Sequence, residues 1–385
     1  MSLSGNLVLR GAALETCLGH DGQGVAQRIF KQETHYVQVP QELTAKPSHL
    51  KGSPLYPQRL SCREAAITVI SKALDQAGLL AQQRQKCGLI IGTISEESHL
   101  YEQEYLRLYR QNPQGEMQRF SERGPGKLCS DLKRHFGLGG PCLTINTACT
   151  SSANALAQAS LLLRSGLVNN MIVLGIDTYN ALTLQGFKAL MLLDAEGCRP
   201  YDAERAGLQI GEGAAALVLA RMEDGAGLWN VEICAPYAYN TAHHPTAMDI
   251  EGVAARTIVE KNLRQHNIAK PLIVAIKGHG TGTGDGDSGE VTGMRNVFGT
   301  TLPPMTSLKR YLGHTMGAVG TVETLVYLHC LEQGFVPACL GFKVPDPLLN
   351  YSPLMEHLPA PRGYHLLNFF GFGSTMVSVL IKWQP

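Results

Sequence analysis

The chain has 385 residues, room for two or three folding units of about 150 residues each. Hydrophobic residues make up 44% and charged residues 17%, which excludes a disordered chain. With 33 Lys and Arg against 32 Asp and Glu the net charge is +1, which excludes a chain-wide polyanion-binding surface and leaves no nucleic-acid partner expected.

In chain order, residues 1–10 show no basic stretch followed by an apolar core, so no secretory leader is expected. Residues 62–81 carry Ala65, Val69, Ile70 and Leu74 at helical spacing. Continuous apolar runs at 88–92, 142–146, 171–175 and 214–219 read as strands covered on both faces. Residues 103–134 are polar and irregular, an insertion expected to cover the sheet. Residues 152–165 are apolar nearly all round, which predicts a helix buried on every side and ended by Gly166. A turn-rich break at 223–227 precedes a second half of the same grammar, with strands at 231–238, 272–276 and 375–382 and helices at 252–266 and 317–332. This alternation predicts a layered α/β fold of two similar halves, 1–225 and 226–385. No uncharged apolar run reaches the roughly 18 residues of a membrane span. The 10 cysteines include no Cys-x-x-Cys pair, which predicts neither a zinc site nor a disulfide framework and points to a reducing, cytoplasmic compartment.

Chemistry concentrates at three places. Residues 146–152 read NTACTSS, where a buried strand ends, small residues turn sharply and a buried helix begins. There Cys149 meets the free N–H groups and positive dipole end that favour a thiolate, and the same N–H groups can hold the oxyanion of a tetrahedral intermediate. An ordinary packed cysteine is the alternative. His279 lies in KGHGTGTGDGDSGE (277–290), just past a strand, and His314 in LKRYLGHTMGAVGTVE (308–323), at the mouth of an apolar helix. Either alone reads as a structural histidine, but two in glycine-lined loops read as a site. His243 and His244 have no such setting. No G-x-G-x-x-G opens a helix after a first strand, and no phosphate-binding loop or metal-ligand spacing occurs.

Taken in order, NTACTSS, CRPYDAERAGLQIGEGAAALVL (198–219), GHGTGTGDGD (278–287), LKRYLGHTMGAVGTVE and NFFGFGST (368–375) resemble the motifs of the β-ketoacyl-(acyl carrier protein) synthases. The resemblance is to the elongating Cys-His-His ketosynthase group of the thiolase superfamily and covers residues 60–385. It implies a five-layered αβαβα fold of two similar halves, dimeric, with an acyl tunnel reaching toward the dimer interface. It also implies a decarboxylating Claisen condensation of an acyl thioester with malonyl-(acyl carrier protein), in fatty-acid or specialised polyketide or polyene synthesis. Cys149 matches the acylated nucleophile, and His279 and His314 match the pair that stabilises the thioester enolate. Lys309 matches the supporting lysine, Glu323 the glutamate on the following helix, and Asp287 the acid after the His279 loop. Phe372, between Gly371 and Gly373, matches the gating phenylalanine, whose N–H joins that of Cys149 in the oxyanion hole.

The same resemblance implies no metal and no diffusible cofactor, because the phosphopantetheine arm arrives on the acyl carrier protein. Expected partners are that carrier and a second subunit, identical or ketosynthase-like; no membrane insertion is expected. Since the carrier is acidic, Arg119, Arg123, Lys127, Lys133 and Arg134 form a candidate dock, although a solvated charged face is the ordinary reading of such a stretch. The sequence departs from the family at Ser374 and Met376, where Gly and Asn are usual, and the chain is shorter than typical elongating synthases. Two alternatives stand beside this reading. A non-catalytic chain-length-determining partner generally lacks the nucleophile; a thiolase carries a second cysteine where this chain has His314.

Overall fold

The structure is a computed structural model that describes residues 6–38, 51–52, 61–97, 107–112, 114, 126–225 and 227–384. Strand β1 (Leu7–Thr16) leads into α1 (Gly22–Phe30), and the short strands β2 (Val37–Gln38) and β3 (Lys51–Gly52) pair with each other. Helix α2 (Cys62–Ala77) opens on a capping box between Ser61 and Glu64. Gly78 ends it in a left-handed turn at φ 61°, short of the expected residue 81, which instead begins the single turn α3 (Ala81–Arg84). The first half continues through β4 (Cys87–Gly92), α4 (Lys127–His135), β5 (Cys142–Ile145), α5 (Ser151–Arg164), β6 (Asn170–Asp177), α6 (Ala181–Ala189) and β7 (Gly213–Arg221). The second contains β8 (Val231–Ile233), β9 (Tyr237–Asn240), α7 (Val253–Gln265), β10 (Ile273–Lys277), α8 (Gly284–Phe298) and β11 (Met305–Thr306). It closes with α9 (Lys309–Leu312), α10 (Val319–Glu332), the β12 (Phe335–Val336) and β13 (Leu358–Pro359) pair, β14 (Gly363–Gly371) and β15 (Thr375–Trp383).

The long strands run in the order β11-β10-β14-β15-β8-β1-β7-β6-β4-β5, with β9 against β15. Numbered in chain order within each half, the five strands on either side of the β8–β1 junction stand as 3-2-4-5-1. In both halves the 3-2 and 2-4 pairs are parallel, and the 4-5 and 5-1 pairs are antiparallel. Parallel neighbours require crossover connections, and these put helices on both faces.

Helices α5 and α10 form the middle layer and touch strands of both halves, while α2 and α4 cover the outer face of the first half and α7 and α8 that of the second. The result is the five-layered αβαβα arrangement. Nearly every residue of α10 is buried, as an apolar helix in a middle layer must be. A methyl group on Gly320 would collide with the Ala153 backbone, so the two central helices cross in near contact.

Several elements differ from expectation. Strand β5 is the sheet edge, partly exposed throughout with Leu143 at 43%, and not covered on both faces. The run 231–238 splits into β8 and β9 around Pro236, which has no N–H to give to a ladder. Of the expected insertion, α4 takes 127–134, whereas 103–106, 113 and 115–125 lie outside the described residues. Among the described residues no helix is long and apolar enough to cross a membrane.

Candidate active site

The turn between β5 and α5 carries Cys149. Ala148 before it adopts a left-handed φ of 52°, a conformation that costs a non-glycine residue about 1–2 kcal/mol and turns the chain sharply. Hydrogen bonds hold the turn: the Ser151 hydroxyl donates to the Ala148 carbonyl at 2.6 Å, the Thr150 hydroxyl to the Thr147 carbonyl at 2.7 Å, and the Asn154 amide to Thr147 Oγ1 at 2.8 Å. Across from it, the turn Phe372–Ser374 begins β15. A Cβ on Gly371 would stand 3.2 Å from the Cys149 nitrogen, so glycine lets the two turns touch. The backbone N–H groups of Phe372 and of Cys149 itself both favour the charged form of the Cys149 sulfur. The expected N–H pair thus belongs to two turns in close approach, both acting on the one sulfur. Burial nevertheless pushes the thiol up to about 12, against the opposing pull of Lys309. A thiolate was expected at this helix start, but desolvation outweighs the dipole here.

His279 follows β10 in a loop held by two buried carboxylates on α8. Glu290 accepts the N–H groups of His279 at 2.7 Å and Gly280 at 2.9 Å, and the Tyr201 hydroxyl at 3.0 Å. Asp287 accepts the N–H groups of Thr281 at 2.9 Å and Tyr201 at 2.6 Å. Burial raises both carboxyls, Asp287 to about 7. His314 follows α9 and is bracketed by the segment Gln209–Gly211. Its N–H donates to the Gln209 carbonyl at 2.6 Å, and its carbonyl accepts the Gly211 N–H at 2.9 Å. Thus the strings around Tyr201 and Gly211 are scaffolding for the two histidine loops.

The imidazoles lie edge to face, their ring centroids 5.5 Å apart. The His314 Nδ1 accepts the Met316 N–H at 3.2 Å, which leaves Nε2 as the donor. Burial first, and then the charge of Lys309, drives both rings well below the ordinary histidine range, so both are neutral near pH 7. Cys149, His279 and His314 share one cavity of about 360 Å³, lined also by Phe370 and by Phe372, whose ring stacks on Phe187 at 5.5 Å. Beneath them Lys309 donates to Glu323 at 2.6 Å and to the His279 carbonyl at 3.1 Å.

The other expected site residues are less uniform. Gly373 has φ 75°, and Ser374 adopts φ 59°, where the family's usual glycine would be at ease. Its hydroxyl donates to the His244 carbonyl at 2.9 Å and accepts the His244 N–H at 3.0 Å. His243, which the sequence places in no site, also lines the cavity. In the candidate dock, Lys127 and Arg134 both pair with Asp131, which also takes Arg63. Lys133 stands on the same helix, and Arg119 and Arg123 lie outside the described residues. Sequence reasoning missed Glu290, Lys277 and Asp177. Glu290 stands one helical turn after Asp287. Lys277 is the one charge closing an apolar strand and donates to Glu323. Asp177 ends β6 and accepts the N–H groups of Ile94, Ser95 and Gly317. No group of His, Cys, Asp and Glu among the described residues could hold a metal ion.

Residues 58–225 match the N-terminal domain of the beta-ketoacyl synthases and residues 232–343 their C-terminal domain, and the chain belongs to that family. It is 30% identical to the mitochondrial 3-oxoacyl-[acyl-carrier-protein] synthase of Arabidopsis thaliana over 263 residues, 64% of this chain and 57% of that protein. It is 29% identical to the citrinin polyketide synthase of Monascus ruber over 276 residues, 67% of this chain and 11% of that protein. The chain thus spans less than two thirds of the length of these relatives. In fold it is similar to the ishigamide ketosynthase/chain length factor, with a TM-score of 0.87 at 21% identity, over 99% of this chain and 100% of that one.

Proposed function

We propose that the protein is a condensing enzyme that joins an acyl thioester to malonyl-(acyl carrier protein), with loss of CO₂, to give a β-ketoacyl-(acyl carrier protein). The single observation that carries this reading is the shared cavity, where one sulfur and two neutral imidazoles open on the same space beside two backbone N–H groups. In the first half-reaction Cys149 attacks the acyl thioester carbonyl over the N–H groups of Cys149 and Phe372. The thiol proton leaves with the phosphopantetheine thiol, so the exchange is proton-neutral. A malonyl thioester then occupies the cavity with its carbonyl oxygen toward His279 and His314. Two neutral donors stabilise the enolate that forms as CO₂ departs, where one such donor typically contributes about 3–4 kcal/mol. The enolate carbon attacks the acyl-enzyme carbonyl, the C–S bond to Cys149 breaks, and the released thiolate takes up a proton from solvent.

In this proposal no metal or diffusible cofactor takes part, and the carrier's thiol arm delivers both thioesters. The acyl carrier protein, a cytoplasmic location and a second subunit, identical or ketosynthase-like, belong to this proposal. The two-subunit form draws on the likeness to a ketosynthase/chain length factor pair. A purely non-catalytic role is disfavoured by the retained Cys149. Incubation with an acyl carrier should add one acyl mass to Cys149, and malonyl carrier should then convert it to β-ketoacyl carrier. The Cys149→Ala variant should do neither. Product formed by that variant at the wild-type rate would refute the reading.

A further inference from the structure

Lys277 closes β10 as its one charged residue, and its side chain is wholly buried. Burying an ammonium costs several kcal/mol unless it is well paired. Its Nζ donates to Glu323 Oε2 and lies 3.8 Å from the centre of the Phe369 ring, a cation–π contact. The other oxygen of Glu323 is already taken by Lys309, itself wholly buried. One carboxylate therefore carries two ammonium groups, and the triad has a formal net charge of +1. Within the triad Lys309 alone would neutralise Glu323, and Glu290 is the next carboxylate that Lys277 feels. The second cation needs another reason, and the triad sits directly below the His279 backbone through the bond from Lys309 to the His279 carbonyl.

We propose that Lys277 is a positioning residue for the condensation described above: it fixes Glu323 against Lys309 under His279, and its positive charge favours the shift of negative charge from the malonyl carboxylate to the enolate oxygen as CO₂ leaves. The proposal rests on the condensing-enzyme reading. The charged and titratable groups around Lys277 are Glu323 on α10, Lys309 on α9, Glu290 on α8 and the two imidazoles. Burial lowers Lys277 to about 8, against the pull of Glu323. Its charge is thus present at pH 7 and lost as pH rises through about 8.

The test separates the half-reactions in the full chain. Wild type, Lys277→Met and Lys277→Arg are compared for acyl transfer to Cys149 and for CO₂ release from malonyl carrier by the acylated enzyme. Lys277→Met should slow CO₂ release at least tenfold more than acyl transfer, through kcat and not KM, and Lys277→Arg should restore most of it. Wild-type CO₂ release should decline between pH 7.5 and 9, while Lys277→Arg holds level. Equal loss in both half-reactions, or no loss, overturns the proposal. If Lys277→Met does not fold, the wild-type profile decides, and a flat one overturns it. Wild-type protein that neither takes up acyl groups nor releases CO₂ overturns the condensing-enzyme reading, and Lys277's role with it.

Discussion

Cys149 and the two imidazoles illustrate opposite uses of one physical effect. Burial disfavours charge, so it keeps the thiol protonated and the rings neutral. For the rings this preserves the donors that an enolate needs. For the thiol it means that the free enzyme holds little thiolate. Alkylation of Cys149 by iodoacetamide should therefore rise about tenfold per pH unit from 7 to 9 without a plateau, since only the thiolate reacts. A plateau by pH 8 would show a preformed thiolate. The three side chains were legible in the sequence because glycines and small residues flank each of them. Lys277, Glu290 and Asp177 were not, because a local sign as slight as one charge ending an apolar strand does not say what satisfies it; the carboxylate or backbone that does so comes from elsewhere in the chain.

Among the elements, the two central helices bring the parts of the site together. Helix α5 begins beside Cys149, and α10 carries Glu323. Their near contact at Gly320 and Ala153 leaves no space for a side chain. Gly320→Ala should push them apart and cost about 1–3 kcal/mol, read as a lower midpoint of denaturation, with condensation falling further than stability alone explains. Unchanged stability and turnover would contradict that packing. Both helices were readable as apolar runs. By contrast, glycines make 284–290 read as part of the His279 loop, whereas α8 is helical from Gly284 and its Asp287 and Glu290 bond that loop. Strand β5 looked covered because apolar composition does not reveal which strand ends a sheet.

At the scale of the whole molecule, we propose that 1–225 and 226–385 are topological repeats that cannot stand apart. Their strand orders agree, but the largest core draws on β1, β6 and β7 of one half and β14 and β15 of the other around α5 and α10. Residues 1–225 expressed alone should show no cooperative thermal transition and should bind an apolar dye, because α5 would lose its cover from α10, β9 and β15. A sharp transition in that fragment would contradict the shared core.

The most direct test of the account asks whether both imidazoles act on the malonyl thioester. His279→Ala and His314→Ala should each still accept an acyl group on Cys149, yet release CO₂ from malonyl carrier roughly 10²–10³-fold more slowly than wild type. Wild-type CO₂ release by either variant would contradict it.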